Sequence, residues 1–162
     1  MNVKLIAIAA LGKSRQIGLK NELPWSLPDE YKHFQETVKG QHVLIGRKNF
    51  ESHNGDVTGT YPLVLTRDQD YQPANGKAFA TLKEAMIWAE ENKIKLLYVM
   101  GGAEIYRLTL PFLSEFLWSE VEYDGQADAF FPEFKQLPWK TLTEEKHPGW
   151  TMRRLVKSPE NI

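Results

Sequence analysis

Residues 96–103 read Leu96-Leu97-Tyr98-Val99-Met100-Gly101-Gly102-Ala103, an apolar run followed directly by two glycines. Three similar runs lie at residues 3–10, 43–45 and 63–65, and each is followed by a turn or by a signal for the start of a helix. None of them alternates cleanly between apolar and polar residues. Continuous apolar runs are typical of strands that are covered on both faces, as in a parallel sheet flanked by helices.

Helical patterns lie between these runs. The first helix is predicted by an apolar stripe that ends before Gly40 and comprises Leu27, Tyr31, Phe34 and Val38, with Pro28 near its first turn. Residues 81–84 form a capping box that begins a second helix. A third helix is predicted to begin at Ala103 and to end before Pro111, because proline interrupts a helix interior.

The last part of the chain has a different pattern. Residues 116–121, 140–145 and 151–156 are predicted strands, and the last two are joined by a turn at residues 147–149. Alternating strands and helices followed by a strand pair predict a three-layer α/β fold, whose mostly parallel sheet has an antiparallel C-terminal edge.

Composition excludes several classes of function. The chain has 20 basic and 21 acidic side chains, which argues against a nucleic-acid partner that needs a general basic field. Cysteine is absent, which excludes disulfides and thiolate catalysis. We expect no metal site, because the histidines form no HxxxH pair. They are His33, His42, His53 and His147.

The apolar run from Leu5 to Leu11 is far shorter than the ~20 residues that a membrane span needs. It could imitate the core of a secretory signal, but a buried first strand is the favoured interpretation. No repeat or linker-like stretch is visible. We therefore expect a single cytoplasmic domain over residues 1–162 that makes no membrane contact.

Basic residues and glycines follow the predicted inner strands, where ligands bind in open α/β sheets. These segments are Gly46-Arg47-Lys48-Asn49, Thr66-Arg67 and Gly101-Gly102-Ala103. If the strands are parallel, three cations converge beside two helix N-termini, whose N–H groups and dipole favour phosphate. Each segment alone is more often a tight turn or a solvated helix start. Their joint placement favours a polyanionic nucleotide, although no GxGxxG or P-loop motif is present.

Glu30 lies on the apolar face of its own predicted helix, three residues after Leu27 and four before Phe34. Loss of hydration there would raise its pKa above the usual ~4.3. One interpretation is a rim residue whose carboxylate reaches water; the other is a buried acid that faces a protonatable ligand. Trp25, beside Pro24 in the preceding loop, either fills the core or directs its indole N–H to a water near Glu30.

Several segments in order along the chain resemble the dihydrofolate reductase family, from about Lys4 to Pro132 and more weakly in the final strands. They are Ile17-Gly18, Asn21, Leu23-Pro24-Trp25, Leu27-Pro28, Glu30, Phe34, residues 46–52, Leu65-Thr66-Arg67, residues 100–106, Asp128 and Phe131-Pro132. The resemblance implies about eight strands and about four helices. It also implies NADPH-dependent reduction of 7,8-dihydrofolate to 5,6,7,8-tetrahydrofolate, by hydride transfer to C6 and protonation of N5.

The resemblance further implies roles for individual residues. The implied catalytic residues are Glu30, which would bind the pterin 2-amino group and N3, Ser119, which would support that contact, Trp25, which would hold a water, and Tyr106. The implied substrate site also includes Ile6, Leu23, Tyr31, Phe34 and Met100, with Ile6 and Met100 contributing backbone carbonyls. The nicotinamide would be surrounded by Ile8, Ile17, Gly18 and Tyr106. Asp128 would steady the loop around Leu23.

The remaining cofactor contacts follow from the same resemblance. The phosphates would be held by Gly46, Arg47, Lys48, Asn49, Gly101, Gly102, Ala103, Glu104 and Ile105. The adenosine 2′-phosphate would be recognised by Thr66 and Arg67, next to Leu65, which favours NADPH over NADH.

One departure concerns the glutamate tail of folate. The family usually has an arginine in the segment before the third strand, where Thr60 stands here. Either the tail is held weakly, or another cation such as Lys32 reaches it, or the substrate lacks the tail. The alternatives are therefore an NADPH-dependent reductase of another pterin or pyrimidinone, and a nucleotide-binding relative without activity. The expected partner is a small-molecule substrate, and the expected oligomeric state is a monomer.

Overall fold

A computed structural model of the chain describes residues 2–52, 57 and 59–162. The strands are β1 (Lys4–Leu11), β2 (Gln16–Gly18), β3 (His42–Gly46), β4 (Tyr61–Leu65), β5 (Lys77–Phe79), β6 (Leu96–Val99), β7 (Glu115–Val121), β8 (Ala129–Phe130), β9 (Lys140–His147) and β10 (Trp150–Val156). The helices are α1 (Pro28–Val38), α2 (Arg47–Ser52), α3 (Leu82–Glu91) and α4 (Ala103–Thr109), and a 3₁₀ turn (Leu110–Phe112) follows α4.

Eight of the strands form one sheet in the order β5-β4-β3-β6-β1-β7-β10-β9. The central strand, β1, is parallel to both neighbours, with Lys4 opposite Leu96 of β6 and Ile6 opposite Glu115 of β7. The last strand, β10, is antiparallel to β7 and β9. This confirms the predicted parallel sheet with its antiparallel C-terminal edge. The short strands β2 and β8 pair separately.

The inner strands are buried on both faces, as their continuous apolar runs predict. In β3, Leu44 packs into one hydrophobic cluster, whereas Val43 and Ile45 pack into a second. All three are fully buried. Neighbouring residues of a strand point to opposite faces, so the two clusters lie on the two sides of the sheet. The result is the three-layer arrangement expected from the sequence.

The helix α1 differs from the amphipathic helix that its stripe predicts. Only Glu30 and Val38 are buried, and Tyr31 is 42% exposed. The reason is that this face of α1 borders an open cavity over part of its length instead of packing wholly onto the sheet. The stripe is therefore a ligand-facing surface as well as a core surface.

The ends of the other helices follow local rules. The Thr81 hydroxyl accepts a hydrogen bond from the backbone N–H of Glu84 at 3.1 Å, which confirms the predicted cap of α3. The Glu84 carboxylate in turn accepts from the N–H of Ala80 at 3.2 Å. The helix α4 begins at Ala103 and ends before Pro111, as predicted. Among the described residues, no helix is long and apolar enough to cross a membrane.

Candidate active site

The carboxyl ends of the inner strands open into a cavity of about 1430 Å³. One wall is built by the end of β1, the loop after it and α1. The opposite wall is built by the residues that follow β3, β4 and β6 and by the beginning of α3. A pocket for one small ligand measures roughly 300–1,000 Å³. The volume therefore suits two ligands side by side, one against each wall.

Glu30 is the buried acid of the first wall, with 6% of its surface exposed. Burial raises the pKa of its carboxyl to about 7, because the ionised form loses its hydration. The Ser119 hydroxyl donates a hydrogen bond to the carboxyl and opposes part of that rise. This burial excludes the interpretation of Glu30 as an exposed rim residue, and the implied contact with a protonatable ligand stays a prediction. At neutral pH the group is poised between its acid and its carboxylate.

Tyr106 closes the cavity between the two walls. Its hydroxyl donates a hydrogen bond to the Ile8 carbonyl at 2.7 Å, which joins α4 to β1. Burial, and to a lesser degree the nearby charge of Glu30, raises the pKa of this phenol. Tyr106 therefore stays protonated, and its ring is held in one position.

Gly101 allows the backbone after β6 to lie against the Tyr106 ring. Its φ is +91°, and an added Cβ would lie 2.5 Å from Cε2 of that ring. Only glycine combines this backbone conformation with so close an approach. The need for glycine at position 101 is therefore explained by packing against Tyr106.

Asn49 joins two segments of the second wall, the residues after β3 and the residues after β6. Its side-chain Nδ2 donates a hydrogen bond to the Met100 carbonyl at 3.0 Å. The N–H of Gly46 donates to the Gly101 carbonyl at 2.8 Å. The resemblance implies a phosphate contact for Asn49 and a substrate contact for the Met100 carbonyl. In the structure the two groups bind each other, and the Met100 carbonyl keeps one lone pair for a further donor. Both implied ligand contacts stay predictions.

Cations gather on the second wall, as the strand ends predict. Arg47 forms ion pairs with Glu51 at 2.7 Å and Asp68 at 3.0 Å, and its guanidinium lies 4.1 Å from the Tyr71 ring centre. Arg67 is 94% exposed and has only a long contact, 3.7 Å, to Glu104. Arg47 is therefore fixed in place, whereas Arg67 is available to an anionic ligand.

Most of the predicted site residues line the cavity together. They are Ile8, Ile17, Gly18, Leu23, Glu30, Tyr31, Phe34, Gly46, Arg47, Lys48, Asn49, Leu65, Thr66, Arg67, Met100, Gly102, Ala103, Glu104, Ile105 and Tyr106. Four predicted residues lie outside the lining. Two of them contact residues of the lining: Ser119 contacts Glu30, and Gly101 packs against Tyr106.

The other two are placed differently from the expectation. Ile6 lies two residues before Ile8 in β1. It is buried outside the cavity lining, whereas Ile8 lines the cavity. Trp25 is half-buried and packs against the Tyr123 ring, with 5.5 Å between ring centres. Trp25 is not among the residues that line the cavity, and its implied role with a water stays a prediction.

Some lining residues were missed by sequence analysis. They are Ala9, Ala10, Asn21, Glu22, Ser52, Ala80, Thr81, Leu82, Arg107, Leu108 and Ala129. The capping box at Thr81 was a usable signal, but the short strand β5 that precedes it was not recognised. Without β5, the beginning of α3 could not be placed at the same sheet edge.

Asp128 holds the loop that borders the cavity. Its carboxylate accepts a hydrogen bond from the Lys20 N–H at 3.0 Å, and its own N–H donates to the Gly18 carbonyl at 3.0 Å. The resemblance implies that Asp128 contacts the loop around Leu23. In the structure its carboxylate contacts Lys20, three residues before Leu23.

The segment before β4 carries the departure from the family pattern. The Thr60 hydroxyl donates a hydrogen bond to the Val57 carbonyl at 2.8 Å. Residues 53–56 and 58, which include part of the segment considered in the sequence analysis, lie outside the described residues. Within residues 2–52, 57 and 59–162, no group of acidic or histidine side chains is placed to hold a metal ion.

The family model described as dihydrofolate reductase matches residues 4–154 of the chain. The chain belongs to this family. It is 36% identical over 147 residues to the dihydrofolate reductase of Lactococcus lactis, covering 88% of this chain and 87% of the relative. It is 32% identical over 148 residues to dihydrofolate reductase type A13 of Escherichia coli, covering 91% of this chain and 89% of the relative.

A solved dihydrofolate reductase from Enterococcus faecalis, complexed with NADP(H) and RAB-propyl, has the same fold. It matches with a TM-score of 0.85 and 22% identity, covering 94% of this chain and 95% of that one. Family membership confirms the predicted enzyme class: the chain is an oxidoreductase that reduces dihydrofolate with NADPH.

Proposed function

We propose that the two walls of the cavity divide the reduction of 7,8-dihydrofolate to 5,6,7,8-tetrahydrofolate between them. The wall containing Glu30 binds the pterin, and the wall containing Arg47, Lys48 and Arg67 binds NADPH. The observation that supports this division is the joint opening of both walls onto one cavity, with a buried acid on one side and cations on the other.

The second wall fits a dinucleotide phosphate chemically. Three of its basic side chains follow parallel strands, and the backbone at Gly46 approaches that of Gly101 closely enough to hydrogen bond. Arg67, exposed at the end of β4, would pair with the 2′-phosphate, and Arg47 and Lys48 with the other phosphates. Bound NADPH supplies a hydride from nicotinamide C4 to C6 of the pterin.

The protein contributes position and charge to this step. Glu30 receives the 2-amino group and N3 of the pterin, while Tyr31, Phe34 and Leu23 flank the substrate. Ile8, Ile17 and Tyr106 keep the region between the walls apolar, which holds the two rings in contact and excludes water. N5 of the pterin takes up the proton that the reaction consumes, and Glu30 raises the basicity of the ring electrostatically.

The activity is tested by mixing the protein with NADPH and 7,8-dihydrofolate and following the loss of reduced-nicotinamide absorbance. We expect oxidation of NADPH that depends on dihydrofolate and stops when either compound is omitted. The relatives named above are dihydrofolate reductases, which supports this substrate over another pterin or a pyrimidinone. A protein that binds NADPH without oxidising it would be a nucleotide-binding relative instead.

We expect kcat/KM for dihydrofolate to fall as the pH rises above about 7. The reaction consumes one proton, and the free enzyme carries a proton on Glu30 only below the pKa of about 7. Above that pH the proton must come from increasingly scarce solvent hydronium, so the rate drops by up to about tenfold per pH unit. The measurement is a pH profile of kcat/KM in a constant-ionic-strength buffer. A flat profile between about pH 6 and 9 would contradict this role.

We expect Arg67→Ala to weaken NADPH binding about tenfold and to change NADH binding by less than about twofold. NADH lacks the 2′-phosphate, so it loses no ionic contact when the arginine is removed. The measurement is the Kd of each cofactor by fluorescence titration. The matched control is Lys83→Ala, an exposed cation on α3 outside the cavity, which should alter neither Kd. An equal loss for both cofactors would mean that Arg67 contacts another part of the nucleotide.

Three further properties belong to this proposal. The chain forms one catalytic domain over residues 1–162, acts as a monomer and works in the cytoplasm. The two-walled cavity supports the first of these, because its described lining extends from Ile8 to Ala129. Sedimentation of the purified protein with and without ligands tests the oligomeric state.

A further inference from the structure

Gln16 is a buried polar residue to which the proposed reaction gives no role. It begins the short strand β2, and 2% of its surface is exposed. A buried amide costs free energy unless both its oxygen and its nitrogen find hydrogen-bond partners. The partners of Gln16 therefore indicate what its burial achieves.

The Gln16 amide is hydrogen-bonded at both ends. Its Oε1 accepts a hydrogen bond from the Ser14 N–H at 2.8 Å. Its Nε2 donates to the Asp124 carboxylate at 3.2 Å and to the Gly125 carbonyl at 3.1 Å. The oxygen faces a donor and the nitrogen faces two acceptors, so these contacts define one orientation of the amide. Gln16 thus joins the segment after β1 to the connection between β7 and β8, residues 122–128.

Further hydrogen bonds join the same two segments. The Ser14 hydroxyl donates to the Asp124 carboxylate at 2.8 Å, and the Lys13 N–H donates to the Tyr123 carbonyl at 2.8 Å. The bonds of Gln16 are partly shielded from water, whereas the bond between Ser14 and Asp124 is exposed. Shielded hydrogen bonds are stronger, so Gln16 contributes more to this junction than Ser14 does.

Gly12 shows how closely the two segments pack. An added Cβ at Gly12 would lie 2.4 Å from Oε1 of Gln16 and 2.8 Å from the carbonyl oxygen of Tyr123. The Gly12 N–H also donates to the Gln16 carbonyl at 2.9 Å. The backbone of Gln16 and its side chain are therefore both held by close neighbours.

The two residues that follow Gln16 line the cavity. Ile17 and Gly18 belong to the lining, whereas Gln16 does not. The strand β2 that contains all three has only three residues, and its partner β8 has two. A two-stranded ladder of this length is weak by itself. The side-chain bonds of Gln16 therefore matter for the position of Ile17 and Gly18.

We propose that Gln16 is a positioning residue for the nicotinamide end of NADPH. It acts through Ile17 and Gly18, which its hydrogen bonds to Asp124 and Gly125 keep at the edge of the cavity. The inference rests on the proposed function, which places the nicotinamide beside Ile17 and Gly18. The adenosine end of NADPH, assigned to the wall with Arg67, should not depend on Gln16.

The test compares the Kd of NADPH with the Kd of 2′,5′-ADP, both by isothermal titration calorimetry. The second compound carries the adenosine and its 2′-phosphate but no nicotinamide. Gln16→Met keeps much of the side-chain volume and removes the amide donors and acceptor. We expect it to weaken NADPH binding about tenfold and 2′,5′-ADP binding by less than about twofold. Equal weakening of both, or unchanged binding of NADPH, overturns the inference.

Leu155→Ala is the control for a general loss of stability. Leu155 is buried on β10 and lies outside the cavity lining, and its truncation leaves a hole in the core. We expect this variant to unfold at lower urea concentration and to keep the wild-type ratio of the two Kd values. A change of ratio equal to that of Gln16→Met would show that lost stability is the cause, which overturns the inference.

Asp124→Ala tests the same link from the protein surface, where a substitution is compatible with folding. Its control is Glu122→Ala, which removes an acidic side chain that has no hydrogen bond or ion pair among the described contacts. We expect Asp124→Ala to raise the ratio of the NADPH Kd to the 2′,5′-ADP Kd about threefold, and Glu122→Ala to change it by less than about 1.5-fold. Equal changes in the two variants would be an effect of charge alone and would overturn the inference.

Hydrogen exchange tests the junction without any cofactor. The N–H groups of Gly12 and Lys13 donate to backbone carbonyls that Gln16→Met retains. We expect this variant to speed their exchange about tenfold or more, while exchange in the central strand β3 changes by less than about twofold. Unchanged exchange at Gly12 and Lys13 would show that Gln16 does not hold the junction, and the inference would be wrong.

The wild-type protein separates this inference from the proposed function. If it neither binds NADPH nor reduces dihydrofolate, the proposed function fails. If it does both, and Gln16→Met affects NADPH and 2′,5′-ADP equally, the function stands and only the inference fails.

Discussion

Glu30→Gln is expected to lower kcat for dihydrofolate about 10²- to 10³-fold at neutral pH. The amide keeps the shape of the carboxyl, but it can neither carry a proton in the free enzyme nor bear the negative charge that stabilises the pterin once the ring is protonated. The Kd for NADPH should change by less than about twofold, because Glu30 lies on the opposite wall of the cavity. Steady-state kinetics and a fluorescence titration measure the two quantities. Equal losses of turnover and NADPH affinity would contradict the role of Glu30.

The same variant has a second, opposite effect on stability. The pKa of Glu30 is about 7 in the folded protein against an ordinary value of 4.5, so the folded chain holds this proton more tightly than the unfolded chain. The associated stability is present below about pH 4.5 and is lost as the pH rises through 7.

Glutamine cannot ionise, so the Glu30→Gln variant does not lose stability as the pH rises through 7. The ligand-free variant should therefore be more stable than the wild-type protein by about 2 kcal/mol at about pH 8. Urea unfolding at several pH values tests this. The control is Glu36→Gln on the exposed face of the same helix, which should change neither kcat nor stability appreciably. If Glu30→Gln lowered both activity and stability at about pH 8, a simple loss of packing would explain the result better.

Gly101→Ala is expected to destabilise the protein by about 3 kcal/mol or more, and to weaken NADPH binding as well. The new Cβ would adopt a φ of +91° and lie 2.5 Å from Cε2 and 2.9 Å from Cζ of Tyr106. The ring cannot move aside easily. Its hydroxyl is bonded to Ile8, and the Phe131 ring centre lies 4.7 Å from its own. Urea unfolding and a cofactor titration measure the two effects.

Gly40→Ala separates the two causes of this destabilisation. Gly40 has a φ of +75°, but an added Cβ would meet no heavy atom within 4 Å. This variant should lose only about 1 kcal/mol, from the backbone conformation alone. If both variants lost the same amount, the close approach to Tyr106 would not matter. The difference between them therefore measures the contact that positions the cavity wall after β6.

The fold was predictable because the inner strands are continuous apolar runs. Val43-Leu44-Ile45 is buried on both faces, so tertiary packing and local pattern agree. The elements that were missed are short: β8 has two residues, and β2 and β5 have three each. Their pairing is decided by partners that lie elsewhere in the chain, as Gln16 opposite Phe130 illustrates. Such strands leave no periodic signal.

The site was predictable where a polar or charged residue stood in an apolar sequence pattern. A carboxylate at position 30 on an apolar helix face pointed to the first wall, and basic residues and glycines after buried strands pointed to the second. Contacts that depend on side-chain direction were not predictable. Nothing in the sequence indicates that Asn49 binds the Met100 carbonyl, or that Trp25 turns towards Tyr123.

The position of β1 in the sheet has a consequence for how the protein forms. This strand is the first along the chain, yet it pairs with β6 and β7, which lie far along the sequence. Lys4 lies opposite Leu96, and Ile6 lies opposite Glu115. Contacts between such distant residues give a high contact order, which slows folding. During synthesis, the apolar residues 5–11 must wait for most of the chain to emerge before they are covered. Temporary shielding by a chaperone would therefore benefit the nascent chain most at this segment.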